Sequence, residues 1–209
     1  RGLNRTWGGL WKLKMKKGET HGRRANTGDY LVTGYALKKL VDQDSEGDTY
    51  NKAITYPWPM IRLSELYLMY AESLNESSGP SLEVYDALNE IRQRAGIPSV
   101  QDAWSNATFA ASPNKHLSQE GLREIIQQER MIELAFEGHR YYDIRRWKLA
   151  EQYFTTPIKG WSVDEDSEAN YYQIMEVSQR SFRSPRDYFQ PISFTELSRN
   201  PNLIQNPGW

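Results

Sequence analysis

Acidic side chains and one histidine crowd the stretch from Glu129 to Asp143, with Glu133, Glu137 and His139 between them. Carboxylates and imidazoles bind metals and transfer protons, so this stretch first suggests a di-metal helical bundle or an acid–base site. A di-metal bundle, however, needs Glu-x-x-His on each of two helices. Here His139 follows Glu137 at a spacing of two, and no second copy of the motif occurs. We therefore predict no metal site and no cofactor.

Helical periodicity indicates a structural role for the same acids. Glu129 falls on the apolar stripe of Ile125, Ile132 and Phe136, and Glu133 lies one turn further on. A carboxylate on a buried stripe costs several kcal/mol unless it is paired. We therefore predict a structural ion-pair network around Glu129 and Glu133, and no catalytic residue. The arginines available as partners are Arg62, Arg92, Arg94, Arg130, Arg140, Arg145 and Arg146.

Composition excludes several classes of function. The formal net charge is -1, with 26 Lys and Arg against 27 Asp and Glu, so nucleic acid is not an expected partner. The chain has no Cys and only three His, which removes thiol chemistry and makes a site of several imidazole ligands hard to assemble. No apolar run is long enough to span a bilayer, and no leader follows Arg1. We expect a mature or truncated piece of a longer protein.

The elements that must position any site are mainly helices. Apolar spacing from Pro57 onward predicts a helix that is apolar on two sides, and Gly79 ends it. Ser81 is the predicted N-cap of a second helix, and Ser118 that of a third. Gly138 is predicted to divide the third helix from a fourth. The helix pairs resemble tetratricopeptide repeats in shape, although the residues do not fit that repeat pattern cleanly.

The chain is predicted to be one region with three parts. Residues 1–56 form a loop-rich lead-in, residues 57–154 a helical scaffold, and residues 155–209 an irregular tail that packs on the helices. The predicted fold class is therefore mostly α, built from tetratricopeptide-like helix pairs, an α-α superhelix, with long irregular loops.

Four separated motifs resemble the SusD/RagB family of outer-membrane glycan-binding proteins, and they occur in the family's order. A fainter fifth match is GYALKKLVD, and the resemblance covers about Gly34 to Trp209. The four motifs are WPMIRLSELYLMYAESLNE, ALNEIRQRAG, LREIIQQERMIELAFEGHRYYDIRRW and YFQPISFTELSRNPNLIQNPGW.

The resemblance implies a lipoprotein on the extracellular face of the outer membrane. Such a protein binds oligosaccharides without cleaving them and delivers them to a SusC-like TonB-dependent transporter, its partner. The membrane would be reached only through a lipid anchor that this chain lacks, along with the amino-terminal half. The resemblance also implies that Arg62 with Glu65, and Asp143 with Arg145 and Arg146, hold helices together.

Loop aromatic residues are the predicted ligand contacts, because a sugar presents apolar faces that stack on rings and hydroxyl edges that need polar partners. For each loop tryptophan, packing under its own loop is an equally good interpretation. Trp58, Trp147 and Trp209 lie in scaffold-type motifs and are predicted to be core residues. The predicted ligand contacts are Trp7, Trp11, Trp104, Trp161, Tyr171 and Tyr172, of which Trp7 and Trp11 form the favoured cluster.

Other functions stay open at this stage. The chain could be a helical-repeat adaptor for another protein, or it could bind a nutrient such as peptide. A carbohydrate-active enzyme would need two carboxylates about 5 to 10 Å apart in an open cleft. The identity of the glycan and the oligomeric state do not follow from the sequence.

Overall fold

The computed structural model describes residues 4–6, 9–11, 14–23, 30–37, 39–40, 54–55 and 57–209. The chain divides into two compact units. We call Pro57–Tyr142 the helical unit, and Arg1–Tyr56 together with Asp143–Trp209 the loop unit. Each unit is described by itself.

Four helices and one 3-10 turn build the helical unit. Ser81 caps the second helix by accepting a hydrogen bond from the Val84 amide, and Ser118 caps the fourth by accepting one from the Gly121 amide. Both predicted N-caps are confirmed. The helices are α1 (Leu63–Ser78), α2 (Leu82–Arg94), α3 (Val100–Ser105) and α4 (Gln119–Glu133), with the 3-10 turn at Lys115–Leu117.

The core of the helical unit lies where α1 packs against α2 and α4. A polar clamp ties α1 to α4, since Asn75 Nδ2 donates to the Gln119 carbonyl and Gln119 Nε2 donates back to the Asn75 carbonyl, at 3.0 and 2.7 Å. Burial of the apolar stripes is the main stabilising term. The fully buried apolar side chains are Leu68, Ala71, Val84, Val100, Leu122 and Ile126.

Two expectations about this unit differ from the structure. The predicted stripe of the third helix includes Ile132 and Phe136, but α4 ends at Glu133 and both side chains are exposed. Phe136 adopts a positive φ of 66°, which a helix cannot continue through. The predicted main stripe of α1 is exposed at Leu63, Leu66 and Tyr70. Of the second apolar side, predicted from Met60, Leu68 and Met69, only Leu68 is buried.

The loop unit carries short strands and short helices. Strands β1 (Asn4–Thr6) and β2 (Gly9–Trp11) pair antiparallel, as do β3 (Ile158–Trp161) and β4 (Ile174–Ser178). The boundary between the two units falls within α5 (His139–Arg146). The other helices are α6 (Ala150–Phe154), α7 (Glu168–Tyr171) and α8 (Phe194–Arg199), with a 3-10 turn at Arg186–Tyr188.

The carboxy-terminal tail is anchored by side-chain hydrogen bonds. Trp209 Nε1 donates to the Arg186 and Phe189 carbonyls at 3.0 and 3.2 Å. Gln205 both accepts from the Ile192 amide and donates to the Ile192 carbonyl, each at 2.9 Å. The tail therefore has a defined path although it contains little regular structure.

The mostly helical fold predicted from the sequence is confirmed. The prediction that Trp58 and Trp209 are core residues is wrong, because about half of each side chain is exposed. Within the described residues, no helix has the length and apolarity needed to cross a lipid bilayer.

Candidate functional site

Three of the six predicted ligand contacts lie together in the loop unit. These are Trp161, Tyr171 and Tyr172, and Tyr35 joins them. We call these four rings the aromatic platform. Sequence reasoning missed Tyr35, because a lone tyrosine in a loop carries no local signal of contact with a strand far along the chain.

The rings of the platform form a continuous chain of contacts. The Trp161 centroid lies 5.4 Å from Tyr35, with the planes tilted by 35°, and 5.3 Å from Tyr172, with the planes nearly perpendicular. Tyr171 meets Tyr172 edge to face at 5.2 Å. These separations are in the favourable range for aromatic pairs, so each ring restrains its neighbours.

Burial differs sharply across the platform. Tyr171 is 4% exposed and lies beneath, and its burial raises the pKa of its hydroxyl. Tyr35 and Tyr172 are 54% and 55% exposed, and Trp161 is half-buried. The platform therefore offers ring surface to solvent while a buried tyrosine supports it.

Backbone hydrogen bonds hold the platform in place. The Trp161 amide donates to the Thr33 carbonyl at 3.0 Å, and the Ser162 amide donates to the Tyr171 carbonyl at 3.0 Å. Gly34 has a φ of 71°, and a Cβ there would lie 2.9 Å from both the Trp161 ring and the Tyr171 hydroxyl. Only glycine fits this close approach without strain.

Polar groups occur in the segments beside the platform. Arg23 forms an ion pair with Asp164, and the Lys17 amide donates to the Glu165 carbonyl at 3.0 Å. Asn170 Nδ2 donates to a Glu165 carboxylate oxygen at 3.3 Å. Exposed rings with amide, carboxylate and guanidinium groups nearby have the chemistry needed to bind a sugar by stacking and hydrogen bonding.

Of the other three predicted contacts, only the side chain of Trp104 is described by the structure. Trp7 lies outside the described residues, and Trp11 is the last residue of β2. Trp104 lies in α3 of the helical unit, half-buried against the core, with the Lys115 ammonium 5.6 Å from its ring centre. Trp104 therefore has a packing role in the structure.

Arg62 is at the centre of the predicted ion-pair network. Its guanidinium donates from Nε and Nη2 to the two Glu137 carboxylate oxygens, each at 2.8 Å, and from Nη1 to Glu133 Oε1 at 3.0 Å. These bonds, with the Glu137 bonds contributing most, raise the pKa of Arg62. Arg94 also pairs with Glu133, and Arg92 pairs with Glu129.

The remaining predicted members of the network have partners as well. Glu65 lies 3.5 Å from His139 Nδ1, and the buried Asp143 accepts a hydrogen bond from Arg146 Nε at 2.9 Å. Arg145 Nε donates to the Asp187 carbonyl at 3.2 Å. Each acid of the Glu129–Asp143 stretch named above thus has an arginine partner. The pairs of Glu129, Glu133 and Glu137 join segments far apart in the chain, whereas Asp143 and Arg146 pair within α5.

Metal binding was the other chemistry considered for this stretch. Among the residues that the structure describes, no three His, Asp or Glu side chains are grouped as metal ligands would be. Sequence reasoning missed Glu137 as an ion-pair partner, since Gly138 beside it suggested only a helix break.

Comparison with known proteins identifies the family. The model of the SusD family, SusD/RagB, matches residues 9–209. The chain is 36% identical over 150 residues to SusD-like protein P2 of Formosa agariphila, which is 71% of this chain and 25% of that protein. SusD-like protein P25 of the same organism is 33% identical over 147 residues, or 70% of this chain and 23% of that protein.

Solved structures of SusD-like proteins resemble this chain as well. The protein BT4246 superposes with a TM-score of 0.79 at 29% identity, covering 96% of this chain and 34% of that one. A SusD-like carbohydrate binding protein of Bacteroides fragilis NCTC 9343 gives a TM-score of 0.65 at 29% identity, covering 85% and 34%. The chain spans about a quarter of the length of the curated relatives it matches. The family match extends over nearly the whole chain, which therefore belongs to the SusD family.

Proposed function

We propose that this chain is part of a non-catalytic protein that binds oligosaccharides at the cell surface. The observation that carries the proposal is the aromatic platform, whose exposed rings of Tyr35 and Tyr172 flank Trp161. A similar protein of Bacteroides fragilis is a SusD-like carbohydrate binding protein, which supports a glycan as the ligand class.

The platform suits capture rather than cleavage. Ring contacts and backbone hydrogen bonds restrain its rings before ligand arrives, so little side-chain entropy is lost on binding. Glycoside hydrolysis needs two carboxylates facing each other across a cleft. The acids beside the platform are engaged elsewhere, since Asp164 is ion-paired with Arg23 and Glu165 accepts a hydrogen bond from Asn170.

Family membership supports the rest of the proposal. The protein would be lipid-anchored on the extracellular face of the outer membrane and would deliver its ligand to a SusC-like TonB-dependent transporter. Co-purification of that transporter with the affinity-tagged protein tests this part. The Trp161→Ala variant should co-purify with the transporter as the parent does.

A second candidate is binding of another protein or of a peptide. The exposed apolar side of α1, with Leu63, Leu66 and Met69, favours it. An adaptor would retain its partner when Trp161 is replaced, and would lose it when Leu66 is replaced by Glu. A glycan-binding protein would respond to these two changes in the opposite way.

The experiment is a glycan array followed by calorimetry on the protein at its full natural length. We expect Tyr172→Ala and Trp161→Ala to weaken binding at least several-fold. Trp58→Ala is the matched control, because Trp58 is as exposed as Tyr172 but lies outside the platform. Unchanged affinity in the Tyr172 and Trp161 variants, with melting temperatures near that of the parent, would show that the platform is not the binding site.

A further inference from the structure

A concave feature of the loop unit lies at the carboxy-terminal end of α5. It is a cleft of about 670 Å³, and its lining includes Arg145, Arg146 and Lys148 but only one acid, Glu151. Tyr188 and Phe189 supply ring surface on the lining. A cavity of this volume is large enough for a sugar-sized ligand.

The three cationic side chains that line the cleft differ in the partners that they already have. Arg146 is paired with Asp143, and Arg145 lies over the Phe154 and Phe182 rings, with its Cζ 5.3 and 5.8 Å from their centres. Within the part of the chain that the structure describes, the Lys148 ammonium has no hydrogen bond or ion pair. It lacks one although Glu151 lines the same cleft. An anion entering the cleft would therefore find a cation that no carboxylate already holds.

The backbone at Lys148 gives a second, independent observation. The Leu149 amide donates to the Ile144 carbonyl at 2.8 Å and the Lys148 amide to the Arg145 carbonyl at 3.0 Å, which is a Schellman turn. In this turn the Lys148 position is left-handed, with a φ of 57°, and glycine is the favoured residue there.

Lysine at this position costs conformational energy that glycine would avoid, so its presence calls for a role of the side chain. In the same turn the Ile144 and Arg145 carbonyls accept hydrogen bonds. Fewer free carbonyl oxygens therefore remain at the end of α5 to repel an anion.

We propose that this cleft binds the anionic group of an acidic sugar residue, a uronate carboxylate or a sulfate ester. Lys148 and Arg145 attract the charge, and Tyr188 and Phe189 contact the apolar faces of the ring. The proposal rests on the proposed function in one respect, since it takes the ligand to be a glycan. It adds a charge class and a second subsite, separate in its lining from the aromatic platform.

The test uses calorimetry on the protein at its full natural length with three probes. These are a uronate-containing oligosaccharide, a sulfated one and the neutral oligosaccharide of the same linkage. We expect both acidic probes to bind more tightly than the neutral one, and added salt to reduce only that difference. The uronate and sulfate arms distinguish the two sources of charge.

Lys148→Gly and Lys148→Gln remove the charge, and the glycine variant also removes the backbone strain. Both should weaken acidic probes by about three- to five-fold, the scale of a partly exposed ion pair, and leave the neutral probe unchanged. Lys148→Gly should melt no lower than the parent, so a loss of binding cannot be attributed to unfolding. Lys159→Gln is the charge control, and Asn114→Gly, also at a positive φ, is the backbone control. Neither should change binding.

The outcomes separate the two proposals. Equal affinity for acidic and neutral probes, or acidic binding that survives both Lys148 variants, overturns the acidic subsite. If neutral binding then still depends on Trp161, the aromatic platform stands. Acidic binding that depends on Lys148 but not on Trp161 supports the cleft and rejects the platform. Absence of binding by every probe overturns both.

Discussion

Arg62 donates two parallel hydrogen bonds of 2.8 Å to Glu137, from Nε to Oε2 and from Nη2 to Oε1. Arg62 is the residue before α1, and Glu137 follows the end of α4, so the pair joins two segments 75 residues apart. Both side chains are largely shielded from water. Such a bidentate pair has a geometry that lysine cannot reproduce.

Replacement of Arg62 should therefore destabilise the helical unit. We expect Arg62→Ala to cost roughly 2 to 4 kcal/mol, because the bidentate pair with Glu137 and the hydrogen bond to Glu133 would be lost from a largely shielded site. Urea unfolding followed by circular dichroism measures this cost. Arg199→Ala is the control, since Arg199 pairs with Glu196 on an exposed surface and should cost under about 1 kcal/mol. Equal costs for the two variants would show that the Arg62 network is not structural.

Core burial along α4 can be tested with two isoleucines of one helix. Ile126 is fully buried, whereas Ile132 is 60% exposed. Ile126→Ala should cost about 2 to 5 kcal/mol from lost burial and cavity formation. Ile132→Ala should change the free energy of unfolding by no more than about 0.5 kcal/mol. A large loss for Ile132→Ala would mean that its side chain is covered in the full protein.

Gly34 should be essential for the aromatic platform. Gly34→Ala brings a Cβ to 2.9 Å from Trp161 and Tyr171 and also places alanine at a positive φ. We expect a cost of about 1 to 3 kcal/mol and a changed tryptophan fluorescence spectrum. Gly96→Ala is the matched control, with a φ of 70° and nothing within 4 Å of its Cβ. It should show only the backbone part of the cost, about 1 kcal/mol, and no fluorescence change.

His116 predicts a pH dependence of stability. Burial lowers the pKa of this histidine below its ordinary value of 6.5, and its Nδ1 has no hydrogen-bond partner. Because the unfolded chain binds the proton more readily, protonation favours unfolding. The contribution of His116 to stability should therefore be complete above pH 6.5 and should fall as the pH drops below that value.

The measurement is the free energy of unfolding in urea, determined at several pH values between about 5 and 7.5. His116→Phe keeps a planar ring beside Tyr85 and cannot be protonated. It should flatten the dependence in that range. An identical slope in parent and variant would assign the pH dependence to other groups.

Local signals in the sequence were sufficient for α1, α2 and α4 of the scaffold, but they predicted no helix at α3. The caps at Ser81 and Ser118 and the buried stripe through Leu122 and Ile126 follow from hydrogen-bonding chemistry and from the 3.6-residue period, which depend only on nearby residues. The same motifs, taken in order, pointed to the SusD family, and the family match confirms that resemblance.

Tertiary structure decided what local signals could not. The end of α4 at Glu133, before the stripe reaches Phe136, is one such feature. Two further features of this kind are the contact of Tyr35 with Trp161 and the ion pair of Arg62 with Glu137. Each depends on bringing together residues far apart in the chain, and the free energy of such a contact is set by the packing of the whole fold and not by any nearby spacing. The sequence by itself therefore determined the scaffold and the residue types suited to a ligand, whereas the assembly of a platform and a cationic cleft from those residues was determined only by the folded chain.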